Sequence, residues 1–116
     1  MISISPGGTL LLYTQPADMR KSFDGLSGIV RSELGREPDD GSLFLFINRR
    51  RDRIKVLYWD GDGFALWYKR LESGTLEMVA SVDGQPAVTI DAAQLAMLLS
   101  GVPLSRVKRR KRHVRA

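Results

Sequence analysis

Residues 48–70, NRRRDRIKVLYWDGDGFALWYKR, decide the fold by the way they are parsed. Seven basic residues (Arg49, Arg50, Arg51, Arg53, Lys55, Lys69, Arg70) and both tryptophans surround Asp60-Gly61-Asp62-Gly63. Arg53–Trp59 and Phe64–Leu71 are rich in the β-branched and aromatic residues that strands favour, and the repeated Asp-Gly is a turn signal. The stretch is therefore a β-hairpin with two available registers. A two-residue loop tipped by Gly61-Asp62 sets Trp59 against Phe64 and Lys55 against Tyr68, which mixes charge and apolar bulk on both faces. A three-residue loop, with Gly63 in the left-handed position, sets Trp59 against Ala65 and Tyr58 against Leu66. One face then carries Ile54, Val56, Tyr58, Phe64, Leu66 and Tyr68, and the other Arg53, Lys55, Leu57, Trp59, Trp67 and Lys69. The second register separates a core face from a basic-aromatic face and is the expected one.

Outward from the hairpin, Ser42–Asn48 is apolar on both faces, as an interior strand is. Thr9–Thr14 is a first strand, followed by a loop in which Pro16 turns Gln15 away from helix. Ser22 can cap a helix whose stripe is Phe23, Leu26, Ile29, Val30 and Leu34, with Gly35 as its stop. Gly25 and Gly28 weaken that helix by about 1 kcal/mol each against alanine, or serve the close approach of another element. Beyond Leu71 come a weaker strand over Thr75–Ser81, a turn at Asp83-Gly84 and a short strand at Ala87–Ile90. Asp91 and Gln94 form an Asp variant of the capping box, with Ile90 and Leu95 as its hydrophobic staple. The helix they start ends at Gly101, ahead of Pro103. The order β-α-β-β-β-(β)-β-α predicts an α+β domain: a largely antiparallel sheet of about five strands with two helices packed on it.

The chain of 116 residues has room for one domain, over residues 1–103. With no cysteine, disulfides and thiolate zinc sites are excluded. No apolar run exceeds five residues, far short of a membrane span, and the start lacks a secretory signal, so a cytoplasmic protein without membrane association is expected. The net charge of +5 is unevenly held: residues 1–105 carry eleven Lys/Arg against thirteen Asp/Glu, and residues 106–116 carry seven Lys/Arg and no acid. The segment 104–116 is expected to be a tail that is disordered when free. Its cations, Arg106, Lys108, Arg109, Arg110, Lys111, Arg112 and Arg115, suit phosphates; neutralising about six would give a log K–log salt slope near −5. A solubilising end, or a site for an acidic protein, is the competing reading of the tail.

Catalytic chemistry finds little purchase. An EF-hand loop counted from Asp60 would need ligands at Phe64 and Leu71, so Asp60 and Asp62 belong to a turn. The acids Asp18, Asp24, Asp39, Asp40, Asp60 and Asp62 show no spacing that singles out a metal-holding triad. The single histidine, His113, lies in the tail, and neither phosphate-binding glycine motif occurs. No catalytic residue, metal or cofactor is expected. Cations beside indole rings suit nucleic acid, with Arg49, Arg50, Arg51, Arg53, Lys55 and Lys69 on phosphates and Trp59 and Trp67 on bases. The alternative is that both tryptophans belong to a second core face, with the cations as a solvated rim.

Three motifs in order, "DMRKSFDGL" (Asp18–Leu26), "RIKVLYWDGDGFALWYKRLE" (Arg53–Glu72) and "AQLAMLLSGV" (Ala93–Val102), resemble the TnpB accessory family of bacterial insertion-sequence-66 elements. The resemblance covers about residues 1–102. It implies a non-catalytic role in transposition beside a separate transposase, with element DNA and that transposase as partners. A protein–protein adaptor or self-associating module is the alternative it leaves open. The family motif positions are Asp18, Met19, Arg20, Lys21, Phe23, Asp24 and Gly25, then Trp59, Asp60, Gly61, Asp62, Gly63, Lys69 and Arg70. None carries an implied catalytic role. The chain departs from the pattern at Pro103-Leu104, where many relatives have an acidic residue and a tryptophan.

Overall fold

The structure, a computed structural model, describes residues 8–100. Its elements in chain order are β1 (Leu10–Tyr13), α1 (Phe23–Ser32), β2 (Leu43–Ile47), β3 (Arg53–Trp59), β4 (Phe64–Arg70), β5 (Ala87–Ile90) and α2 (Ala92–Leu99). They form the expected α+β domain around one five-stranded sheet of order β4-β3-β2-β1-β5. β1 and β2 are parallel, joined across α1, and the other three pairings are antiparallel.

The sheet is covered on both faces, which explains the unbroken apolar runs LLLY and LFLFI in its central strands. On one face α1 closes a core of Leu11, Tyr13, Leu26, Ile29, Val30, Phe44, Phe46 and Leu57. On the other, α2 and the segment around Leu76 close a core of Leu12, Leu45, Ile47, Ile54, Val56, Ile90, Leu95 and Leu98. The capping box forms as expected: the Asp91 carboxylate accepts from the Gln94 amide at 2.7 Å, and Gln94 Oε1 accepts from the Asp91 amide at 2.9 Å. Ile90 and Leu95 are buried in one cluster beside that cap. At α1, Ser22 stands at the N-cap position without a side-chain bond to the helix, and Gly35 takes φ +63° beyond its end. The expected stop of α2 at Gly101 and Pro103, and the whole tail, lie outside the described residues.

Two expectations are corrected. Thr75–Ser81 is not a strand. Leu76 is buried and donates its amide to the Arg51 carbonyl at 2.6 Å, with Met78 and Val79 on the same core, so the segment packs as irregular chain without a ladder. The hairpin adopts the other register: Trp59 pairs with Phe64, Lys55 with Tyr68, and Arg53 with Arg70. The left-handed residue is Gly61, at φ +81°, and not Gly63. It centres a γ-turn in which the Asp62 amide donates to the Asp60 carbonyl at 2.9 Å. The separated basic-aromatic face therefore does not exist, because β3 is buried on both sides and had no solvent face to fill.

Candidate nucleic-acid interface

Parallel pairing sends the chain out of β1 and β2 at the same end of the sheet, so the loops that follow them, 14–22 and 48–52, meet there. Ligands of parallel α/β sheets commonly sit at that end of the strands. The Ala17 amide donates to the Ile47 carbonyl at 2.8 Å and ties the two loops together. Between them lies an open recess of about 770 Å³ lined by Ala17, Asp18, Met19, Arg20, Asn48, Arg49, Arg50 and Arg53. Two stretches distant in sequence, "DMRK" and "NRRRDR", thus become one cationic surface.

Among the residues that line the recess the one acid, Asp18, is engaged within its own loop. Asp18 accepts from the Arg20 amide at 2.9 Å and from Arg20 Nη2 at 2.7 Å. Those hydrogen bonds hold its carboxyl down at about 2. The Arg20 side chain is 91% exposed, so this is a surface pair of small worth from which the guanidinium can turn to another anion. Arg49, Arg50 and Arg53 have no carboxylate within ion-pair distance among the described residues.

Asn48 builds the arginine turn. Its Oδ1 accepts from the amides of Asp52 (3.1 Å) and Arg53 (2.9 Å), and its Nδ2 donates to Asp52 Oδ1 at 2.7 Å. That side-chain bond, with the nearby charges of Arg53 and Arg50, lowers the Asp52 carboxyl below its usual range. Arg51 sits at φ +61°, a left-handed position that costs a non-glycine residue about 1–2 kcal/mol. Its backbone is held there by Asn48 and Leu76. Arg53 also faces Arg70 directly across the ladder, an unfavourable like-charge pair, with Arg70 partly offset by Glu72 at 3.4 Å.

Lys55 belongs to the site in a different capacity from the expected one. It is only 6% exposed, and its ammonium donates to the carbonyls of Met19 and Lys21, both at 2.7 Å. It also lies 4.8 Å from the centre of the Tyr68 ring. Lys55 is thus an internal post that fixes the "DMRK" loop, and its ammonium is withdrawn from the surface.

The other expected residues separate. Trp67 and Lys69 project from the α2 face of the sheet, where Trp67 packs on the core and Lys69 donates to the Leu99 carbonyl at 2.6 Å, closing the end of α2. Trp59 is on the α1 face but six residues along β3 from Arg53, about 20 Å away at strand spacing. There it meets Phe64 edge to face at 5.0 Å. Of the remaining motif residues, Asp60–Gly63 make the turn, Phe23 is exposed at the start of α1, and Asp24 lies in its first turn. Gly25 lies under the Lys21 side chain. The tail cations Arg106, Lys108, Arg109, Arg110, Lys111, Arg112 and Arg115 fall outside the described residues.

A second open recess, about 650 Å³, continues from the first through Ala17 and Asp18. It runs between Pro16, Lys21, Gly25, Gly28, Ile29 and Ser32 to Tyr13 and Glu33. Tyr13 donates to Glu33 Oε1 at 2.7 Å. Burial first, and then that carboxylate, push the phenol up to about 12. Neither Tyr13 nor Glu33 carried a sequence signal, since each also reads as an ordinary strand or helix residue. Asn48 had one: an Asn opening a tight turn bonds the backbone that follows it.

The model of the IS66 Orf2-like protein family matches residues 9–109 of the chain. The uncharacterized protein y4jC of Sinorhizobium fredii (strain NBRC 101917 / NGR234) is 37% identical over 110 residues, covering 95% of this chain and 92% of that protein. The uncharacterized protein y4hO of the same organism is 39% identical over 91 residues, 78% of this chain and 77% of that protein. No solved structure gives a significant match. The matched span contains both loops of the arginine recess and the whole sheet.

Proposed function

The chain belongs to the IS66 Orf2-like family, and from that premise we propose that it is a non-catalytic accessory protein of insertion-sequence transposition that grips nucleic acid in the arginine recess. One observation carries the reading: Arg49, Arg50 and Arg53 converge with Arg20 around a recess whose single acid is occupied by Arg20 itself. Unbalanced guanidinium groups on a surface are the footprint of a polyanion, and guanidinium matches phosphate in a bidentate way. The tail adds sequence-independent affinity to the same ligand, element DNA, and the transposase of the element is the protein partner. Catalysis is assigned to that partner; among the described residues no group of three or more acids or histidines is placed to hold a metal ion.

The adaptor reading has its own observation. Trp59 at the hairpin tip is exposed, set edge to face on the half-buried Phe64, and among the described residues β4 leaves one edge of the sheet unpaired, so this corner can accept a protein without involving the recess. A titration with duplex DNA over a salt series separates the two. Each arginine of the recess changed to alanine is expected to weaken binding and make the log K–log salt slope less negative by about 0.9. Trp59→Ala is expected to leave both unchanged. If Arg49→Ala and Arg50→Ala bind as the parent does, with the parent slope, the recess is not the nucleic-acid site.

A further inference from the structure

The arginine recess ends on Ala17 and Asp18, where the second recess begins. The two halves differ in chemistry. The first is lined by guanidinium groups. The second has no arginine: Tyr13, Pro16, Ala17, Gly28 and Ile29 line it beside Asp18, Lys21 and Ser32, and it ends at the Glu33 carboxylate. Resting on the reading of the first half as a phosphate grip, we propose that the two recesses form one trench for single-stranded DNA. Its phosphates lie on Arg49, Arg50 and Arg53, and an unpaired base enters the second half.

The observation behind this is Gly28. It lies inside α1, and after proline glycine is the least favourable residue for a helix interior. Among the described residues nothing calls for it, because a Cβ built there would meet none of their atoms within 4 Å. The space it leaves open is the second recess, so the close approach that glycine allows is that of a ligand. Gly25, by contrast, is accounted for internally, since a Cβ there would come within 3.1 Å of the Lys21 side chain. Glu33 supplies the polar end. One of its oxygens is held by Tyr13, which fixes the carboxylate and leaves the other oxygen to accept from the N–H groups of a base. A duplex, whose bases are stacked and paired, cannot use this half; a single strand can.

The experiment measures anisotropy titrations of the full chain against three probes: a short mixed-sequence single strand, an abasic strand of the same length, and the duplex. The parent is expected to favour the single strand over the abasic strand by about tenfold, the order of one base contact. Gly28→Leu fills the second half from an exposed position and is expected to abolish that preference while leaving the abasic strand and duplex bound as before. Gly28→Ala is expected to melt higher than the parent and to reduce the preference, which separates ligand exclusion from unfolding. Arg50→Ala is expected to weaken all three probes alike. The trench is overturned if the parent binds the base-bearing and abasic strands equally, or if Gly28→Leu keeps the preference. If Arg50→Ala weakens nothing, the phosphate grip falls and the trench with it, an outcome distinct from loss of the base contact alone.

Discussion

Replacing Lys55 with methionine tests whether this lysine binds ligand or builds the site. Its ammonium makes two charge-assisted hydrogen bonds at 2.7 Å, to the carbonyls of Met19 and Lys21, from a position 6% exposed. Bonds of that kind are worth about 1.5–3 kcal/mol each, so about 3–6 kcal/mol of gross interaction is lost. Methionine keeps the aliphatic length and removes the cost of burying an ammonium, which recovers a large part of that loss. The net expectation is about 2 kcal/mol of destabilisation, or roughly 8–16 °C in Tm for a domain of about 100 residues. Binding is then measured well below that Tm. Affinity for DNA is expected to fall because Asp18–Lys21 is no longer held beside Arg49 and Arg50. The salt slope stays at the parent value, because no phosphate contact has been removed. A lysine that met phosphate directly would behave in the opposite way: Lys55→Met would be as stable as the parent, with a slope less negative by about 0.9. That result would refute the post.

Three more measurements probe the frame. Lys69→Met removes the ammonium bound to the Leu99 carbonyl and is expected to cost about 0.5–1 kcal/mol and speed amide exchange in the last turn of α2, with the DNA salt slope unchanged. Asp91→Ala dismantles the capping box and is expected to cost about 1 kcal/mol by urea denaturation. Tyr13 carries a pH prediction: its phenol is raised from 10.0 to about 12, so the stability it confers is complete below pH 10 and lost as pH rises towards 12. An absorbance titration is expected to show one of the three tyrosines ionising near that upper value, and Tyr13→Phe to remove it.

The elements were legible because each is written in local chemistry. LFLFI has no polar face, Asp91 and Gln94 stand three apart ahead of an apolar run, and Arg53–Trp59 and Ala87–Ile90 end where their turn residues begin. The arginines of residues 49–53 were legible as a charge run without a partner. What gives them a site was not, because the parallel pairing of β1 with β2 is a contact between Leu10–Leu12 and Leu43–Leu45 that no local pattern encodes. Without it, "DMRK" and "NRRR" are two loops with no relation, and Arg20 has no reason to share a recess with Arg50.

The hairpin register shows the same dependence on what covers the sheet. Sorting polar from apolar residues identifies faces only where one face meets water. β3 lies between β2 and β4 and is roofed by α1 on one side and the α2 layer on the other, so that rule has no purchase on it. The register it adopts leaves one lysine on each face, and each ammonium goes to backbone carbonyls: Lys55 to Met19 and Lys21, Lys69 to Leu99. A cation in a covered strand must find such acceptors or be costly to bury. The lysines within β3 and β4 therefore hold neighbouring segments in place, and the charge free to meet a ligand stands at the start of β3 and in the loops beyond the strand ends, on Arg53, Arg49, Arg50 and Arg20. The aromatic residues divide by the same logic: Trp67, beneath the α2 layer, is core, and Trp59, past the end of α1's cover, is left at the surface.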